Sequence, residues 1–247
     1  MKEGPLMKRK KYISFLGAST STFDGYTNNE LYNSGLTGNK AYYPKPFLND
    51  VNDTWWMKTI HALDLTLCVN NSWGGSCVTT KVDATTKAGC MDRATQLHND
   101  RLGIEPDIIV LIIGGNDALR GYEVGTYNGV SDVFDGQNYI GDTDLFGQAY
   151  ATMVHKVKTR YPLADIYVCS MLNWAATDRN QHMLPYNDVI KQIADEFHVT
   201  YVDFYHGTAI APETKETYLH ADGIHPTKAG FGEMSDCFVK ALSENCK

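Results

Sequence analysis

The stretch DIIVLIIGGND, residues 107–117, decides the fold. Its first seven residues form an almost continuous apolar run, which is typical of a strand buried on both faces of a sheet. Four similar short runs occur elsewhere, at residues 12–16, 65–69, 165–171 and 199–204. Together the five runs predict the strands of one buried parallel sheet.

Helical patterns separate these runs. Apolar residues recur at helical spacing over 150–157 and, more fully, over 186–197. A shorter pattern covers 56–63, and a fourth runs from 231 to 242. Strands that alternate with helices predict βαβ units with right-handed crossovers. The expected fold is therefore α/β, a three-layer α/β/α sandwich around a central parallel sheet of about five strands.

Length and charge narrow the class of protein. The chain has 247 residues, a net charge of -7 and a pI near 5.6. We expect one domain over residues 7–247, with residues 1–6 as an N-terminal extension. An acidic chain argues against a nucleic-acid partner, which requires a basic surface. No apolar run approaches the roughly 18 residues that span a bilayer, and nothing in the sequence indicates an oligomeric state.

The start of the chain and the cysteines bear on localisation. Residues 7–19 have a basic start and an apolar stretch, as a signal peptide does, but a buried first strand explains this short stretch better. Six cysteines occur without a CxxC motif, so a structural zinc site is not expected. Two pairs could form disulfides in an oxidising compartment: Cys77 with Cys90, and Cys237 with Cys246. A reduced, cytoplasmic protein is the favoured expectation, with secretion as the alternative if the N-terminus was trimmed.

Two long segments, 22–53 and 119–146, lack the strand and helix patterns. Structureless loops longer than roughly 15 residues are usually functional or disordered. Both segments contain several tyrosines, which argues against disorder. Whether they close over a site as lids is left open by the sequence.

Polar residues follow the predicted strands. Ser19 comes after the first run, Gly75 after the second and Asn116 after the third. Asp222 and His225 lie in LHADGIHPT, residues 219–227, beyond the fifth run. Open α/β sheets bind ligands at the carboxyl ends of their strands. We therefore expect these residues to converge at one edge of the sheet.

The residue types fit nucleophilic catalysis. A serine hydroxyl needs a base, which His225 can provide, and Asp222 can orient and stabilise the imidazole. The backbone N–H groups of Ser19 and Gly75 and the side-chain amide of Asn116 are candidate donors to an oxyanion. Each residue alone is also compatible with a turn or helix-cap role. Gly74 is the alternative to Gly75, and the neighbouring Asp117 is assigned a structural role.

These blocks resemble the SGNH hydrolase family, also called the GDSL esterase/lipase group. Ser19, Gly75, Asn116 in GGND, and Asp222 with His225 in DGIHP match its four blocks in order and spacing. The resemblance implies a flavodoxin-like fold and a serine esterase that needs no cofactor or metal. One departure is Ala18, where the family usually has an aspartate that helps to hold the serine turn.

The substrate is less constrained by the sequence. Polar aromatic residues in the long segments suit sugars, so we expect a small-molecule or glycan ester and favour deacetylation of a carbohydrate. Trp73 and Trp174 follow strands on the active edge and are candidate substrate-binding residues. A lysophospholipase or thioesterase is the alternative within the family. A carbohydrate-binding protein with little or no turnover is the alternative from another class.

Overall fold

Five parallel strands form the central sheet in the computed structural model, which describes residues 9–27, 41–81 and 88–245. The strands are β1 Tyr12–Gly17, β2 Thr66–Ser72, β3 Ile108–Ile112, β4 Asp165–Cys169 and β5 Thr200–Val202. Their order is β2-β1-β3-β4-β5, and every neighbouring pair is parallel. The predicted α/β architecture and its flavodoxin-like strand order are therefore confirmed. The proposed extension, residues 1–6, lies outside the described residues.

Helices connect and cover the strands. They are α1 Trp55–Ala62, α2 Gly115–Leu119, α3 Phe146–Arg160, α4 Thr177–Phe197, α5 Phe204–Gly207, α6 Lys215–Tyr218 and α7 Lys228–Asn245. Helix α1 packs against α7, and α3 packs against α4. Right-handed crossovers that leave the centre of the sheet in opposite directions bring helices to opposite faces. The two helix pairs thus form the outer layers.

Aromatic packing fixes the α1–α7 layer on the sheet. Phe15 of β1 is fully buried and meets the Trp55 ring edge-on, with 5.4 Å between ring centroids. Trp55 also contacts Phe204 and Phe238. Large buried rings contribute much of the apolar area removed from water. This cluster sets the distance between the sheet and its helical cover.

Two elements extend beyond the apolar runs that predicted them. Strand β2 continues through Asn70, Asn71 and Ser72, all of which are buried. Hydrogen bonds make this burial tolerable: Asn70 Nδ2 donates to the Ser21 carbonyl over 2.9 Å. Helix α4 begins nine residues before the predicted stripe and contains Pro185 in its interior.

The described parts of the two long segments pack against the body of the protein. In 119–146, Val133 is fully buried, and the Tyr127 hydroxyl donates to the Glu196 carboxylate of α4 over 2.5 Å. In 22–53, Tyr43 is almost fully buried, whereas residues 28–40 lie outside the described ranges. The parts that the structure describes are thus integral to the fold.

The helices and the cysteines bear on membrane insertion and on disulfide bonding. Across residues 9–27, 41–81 and 88–245, no helix has both the length and the apolar character needed to cross a bilayer. The five described cysteines are free thiols. The predicted alternative pairing of Cys77 with Cys90 is therefore absent from this structure, and Cys246 lies outside the described residues.

Candidate active site

The predicted residues meet where the strand order reverses. Strands β1 and β3 are neighbours, and their crossovers leave in opposite directions. Such a switch point opens a crevice at the carboxyl ends of the strands. Ser19 follows β1 within two residues, and Asn116 lies in the first turn of α2, directly beyond β3. His225 reaches the same crevice from the connection between α6 and α7.

A hydrogen-bonded relay joins Ser19, His225 and Asp222. The Ser19 Oγ and His225 Nε2 atoms are 2.8 Å apart, and His225 Nδ1 lies 2.8 Å from Asp222 Oδ2. With Asp222 ionised, Nδ1 carries the proton and Nε2 is left to accept from the serine hydroxyl. The other Asp222 oxygen accepts from the backbone N–H groups of Ile224 and His225.

The serine turn is held without the family aspartate. Ser19–Ser21 forms a single turn of 3-10 helix, in which the Ser21 N–H donates to the Ala18 carbonyl over 3.0 Å. The Thr22 hydroxyl donates to the Ser19 carbonyl over 2.8 Å. Trp55 Nε1 donates to Ser21 Oγ over 3.2 Å. Local hydrogen bonds and one buried indole thus hold the turn, and Ala18 takes part in those hydrogen bonds through its backbone carbonyl.

A hydrogen bond to the loop after β2 orients the Asn116 side chain towards the crevice. Its Nδ2 donates one hydrogen to the Ser76 carbonyl over 2.9 Å, which leaves the second N–H available to a ligand. Gly114, two residues before Asn116, has a φ of 129°, and a Cβ there would meet the Phe146 ring at 3.0 Å. Glycine is therefore required at position 114 by both backbone conformation and space.

Gly75 occupies the turn that follows β2. Its φ is 76°, whereas a Cβ built on it would meet nothing within 4 Å. The glycine is thus required by its backbone conformation and not by a close approach of the chain. Within the described part of the chain, neither Gly75 nor Gly74 is among the residues that line the cavity beside Ser19.

Asp117 fixes the loop that carries the second block. It is fully buried, and it accepts hydrogen bonds from the Val78 and Thr79 N–H groups and from the Thr79 hydroxyl, over 2.8–3.0 Å. Burial raises the pKa of its carboxyl, against these hydrogen bonds. Helix α2 therefore carries Asn116 towards the crevice and Asp117 towards the loop. The helix is capped by Gly114 rather than by Asp117.

A cavity opens beside the serine and reaches under the ends of β3 and β4. Its volume is about 650 Å³ out to open solvent. Its lining includes Ser19, Asn116 and His225 and is otherwise largely apolar: Ile112, Ile113, Leu119, Met171, Leu172, Trp174 and Ile224. Of the two predicted tryptophans, Trp174 lines this cavity. Trp73 is 2% exposed, and its indole N–H donates to Asn71 Oδ1.

The electrostatics favour a neutral imidazole beside an ionised carboxylate. Burial lowers the pKa of His225, and the Asp222 carboxylate opposes that shift without reversing it. Burial alone raises the pKa of Asp222. Hydrogen bonds from Tyr42, His225 and Ile224 outweigh that effect and hold its pKa well below the usual range. His225 is thus available as a base at neutral pH.

Two residues near the site had no sequence signal that assigned them a role. Tyr42 stacks on the His225 ring and donates its hydroxyl to Asp222. Arg93 is fully buried and donates to the carbonyls of Gly17 and Asn71, where β1 and β2 end. The tyrosines of segment 22–53 argued against disorder there and predicted no contact with the relay. Arg93 lies outside every predicted element.

The comparisons with known proteins agree with this fold. The profile of the GDSL-like Lipase/Acylhydrolase family matches residues 11–236. The chain belongs to this family and is a carboxylic ester hydrolase. No curated protein sequence matches it. Among the described residues, no three His, Cys, Asp or Glu side chains are grouped so as to hold a metal ion.

Solved structures share the fold at low sequence identity. A protein described as a GDSL-like lipase from Bacteroides ovatus ATCC 8483 is 23% identical with a TM-score of 0.72, covering 96% of this chain and 100% of its own. A counterpart from Bacteroides uniformis ATCC 8492 is 23% identical with a TM-score of 0.71, covering 95% and 96%. A family two carbohydrate esterase from Clostridium thermocellum is 14% identical with a TM-score of 0.60, covering 96% and 65%.

The lowered pKa of His225 predicts how kcat/KM for ester hydrolysis depends on pH. The imidazole must be neutral to accept a proton, so kcat/KM should rise as the pH rises through its pKa. Because that pKa is lowered, the midpoint of the acid limb should lie below about 6.5, the ordinary value for histidine. Steady-state hydrolysis of p-nitrophenyl acetate between pH 4.5 and 8.5 measures this midpoint. A midpoint above 7 would contradict the described environment.

Proposed function

We propose that Ser19 is the nucleophile of this ester hydrolase, that His225 is its general base and acid, and that Asp222 orients the imidazole. The observation that carries the proposal is the relay with two contacts of 2.8 Å. His225 accepts the hydroxyl proton as Ser19 Oγ attacks the acyl carbon, and then donates it to the leaving alcohol. A water molecule repeats the sequence on the acyl-enzyme and restores the serine. No cofactor or metal takes part.

The oxyanion of each tetrahedral intermediate needs fixed donors. We assign this role to the backbone N–H of Ser19, the backbone N–H of Gly75 and the side chain of Asn116. The free N–H of Asn116 beside Ser19 supports its part. The part of Gly75 is supported by its position on the loop whose Ser76 carbonyl holds the Asn116 amide. Preorganised donors of this kind are typically worth about 3–4 kcal/mol each.

For the substrate, deacetylation of a carbohydrate is the first candidate. Polar aromatic side chains suit sugar faces, and two of them, Tyr42 and Trp174, border the relay and the cavity. Trp73 is a further proposed substrate contact, at a position where its side chain is 2% exposed. A carbohydrate esterase with the same fold is compatible with this candidate.

The apolar lining favours a second candidate, an ester of a longer acyl group, as in a lysophospholipase or thioesterase. An acetyl group buries one methyl, whereas several large apolar side chains line this cavity. Burial of each further CH₂ is worth about 0.8 kcal/mol. The binding-protein alternative receives less support, because the Ser19–His225 hydrogen bond is formed in spite of Ala18.

Replacing the proposed nucleophile or the proposed oxyanion donor should lower the turnover rate strongly. Ser19→Ala should lower kcat by about four to six orders of magnitude, because the attacking atom is lost. Asn116→Ala should lower kcat roughly 100- to 1000-fold, because one oxyanion donor is lost. Hydrolysis of p-nitrophenyl acetate measures both. Ser243→Ala, an exposed serine of α7, is the matched control and should keep the full rate. Turnover by Ser19→Ala at the wild-type rate would remove Ser19 from the mechanism.

Chain-length dependence separates the two substrate candidates. If the cavity binds the acyl group, kcat/KM should rise up to about fourfold per added methylene from acetate to butyrate. Leu119→Phe should reduce that gain while leaving acetate hydrolysis near wild type. Leu163→Phe, at a position 96% exposed, is the control. A fall in kcat/KM from acetate to butyrate would favour deacetylation and exclude an acyl role for the cavity.

A further inference from the structure

Tyr42 makes two contacts with the relay that the proposed mechanism has not used. Its ring lies flat on the His225 imidazole, with centroids 3.6 Å apart and planes 8° from parallel. Its hydroxyl donates to Asp222 Oδ2 over 2.6 Å. The same carboxylate oxygen accepts from His225 Nδ1. One tyrosine thus contacts both members of the acid–base pair.

We propose that Tyr42 is a positioning residue of the acid–base pair: its ring holds the plane of the His225 imidazole, and its hydroxyl moderates the Asp222 carboxylate. This inference rests on the roles proposed above for Ser19, His225 and Asp222. It adds a fourth side chain, contributed by the long segment that separates the serine turn from α1.

The surrounding chain anchors Tyr42 on both sides of the crevice. Its backbone N–H donates to the Thr22 hydroxyl over 2.7 Å, and that hydroxyl donates to the Ser19 carbonyl. The adjacent Tyr43 is 1% exposed and donates its hydroxyl to the Pro226 carbonyl over 3.1 Å. The pair therefore ties the serine turn to the histidine loop, which is what a rigid positioning element requires.

The hydroxyl acts through the charge of Asp222. Burial and the neighbouring carboxylate both raise the pKa of the Tyr42 phenol, so it remains a donor throughout the working pH range. A donor on Asp222 Oδ2 offsets part of the negative charge and weakens the attraction of the carboxylate for an imidazolium. The imidazole is then kept neutral, as a general base must be.

Other groups that face His225 act on its charge as well. The cationic Lys45 and the nearby His220 also disfavour the imidazolium. Tyr43 meets the ring edge-on at 6.4 Å between centroids. Among the neighbours named here, all within the described part of the chain, Asp222 favours the charged ring. The Tyr42 hydroxyl donates to the same carboxylate oxygen that accepts from the imidazole, and so it moderates the effect of Asp222 on the ring.

The test combines a direct titration with a rate profile. Tyr42→Phe removes the hydroxyl and keeps the stack. The midpoint of the His225 titration should rise by about 0.5 to 1 pH unit, because the Asp222 carboxylate, without the Tyr42 donor, attracts the imidazolium more strongly. This is measured by NMR on ¹³C-labelled histidine in the Ser19→Ala background, with His225→Gln to assign the signal. In the active enzyme the acid limb of kcat/KM should move by the same amount.

Tyr42→Leu also removes the stack. Its kcat should fall about tenfold below that of Tyr42→Phe, with KM little changed, because the imidazole loses its fixed plane. An aromatic ring at position 42 should thus restore the part of kcat that the leucine variant loses. Tyr139→Phe is the matched control: it removes a phenol that bonds a different histidine, His155, over 3.1 Å, and should alter neither readout.

Two results would overturn the inference. One is a His225 titration in Tyr42→Phe that matches the parent, and the other is a leucine variant with the kcat of the phenylalanine variant. Failure of the proposed function shows elsewhere, as wild-type turnover by Ser19→Ala. The NMR titration does not depend on turnover, so the two failures are distinguishable.

Discussion

The site depends on one hydrogen bond between side chains 206 positions apart, from Ser19 Oγ to His225 Nε2 over 2.8 Å. A serine hydroxyl is a poor nucleophile by itself, and only a base at this distance makes it reactive. The sheet order, the serine turn and the loop between α6 and α7 all contribute to the 2.8 Å distance between these two atoms. Much of the structure near the crevice can be understood as support for this contact.

Both the sheet and buried polar side chains hold the residues of the crevice in place. The sheet brings the end of β1 beside the end of β3 and so places Ser19 near Asn116. Buried polar groups then fix the loops: Arg93 bonds the ends of β1 and β2, and Asp117 bonds the loop after β2. Buried polar groups are costly unless their hydrogen bonds are satisfied. At this edge the hydrogen bonds of Arg93 and Asp117 hold together the strand ends and the loop that border the crevice.

The sequence predicted the strands and the convergence of the relay for a physical reason. Buried parallel strands leave continuous apolar runs, and the carboxyl ends of such strands meet at one edge. Ser19, Asn116 and His225 could be placed by that reasoning. It failed for β2 beyond Val69, because Asn70 and Asn71 are polar and are buried only through hydrogen bonds to distant carbonyls.

Tyr42 and Arg93 show the limit of that reasoning. The contact of Tyr42 with Asp222 spans 180 positions, and that of Arg93 with Gly17 spans 76. No spacing rule links such residues, and neither lies in an element with a periodic pattern. At Gly75 the positive φ requires glycine, and no sequence pattern of strands or helices predicts that conformation.

The central claim is that the Ser19 hydroxyl is the activated nucleophile, and labelling tests it most directly. The protein is incubated with a p-nitrophenyl phosphonate ester at neutral pH, and the adduct is located by mass spectrometry of the digested chain. One phosphonyl group should be found on the peptide that contains Ser19, and its appearance should parallel the loss of esterase activity. Complete inactivation with the group on another residue would contradict the claim.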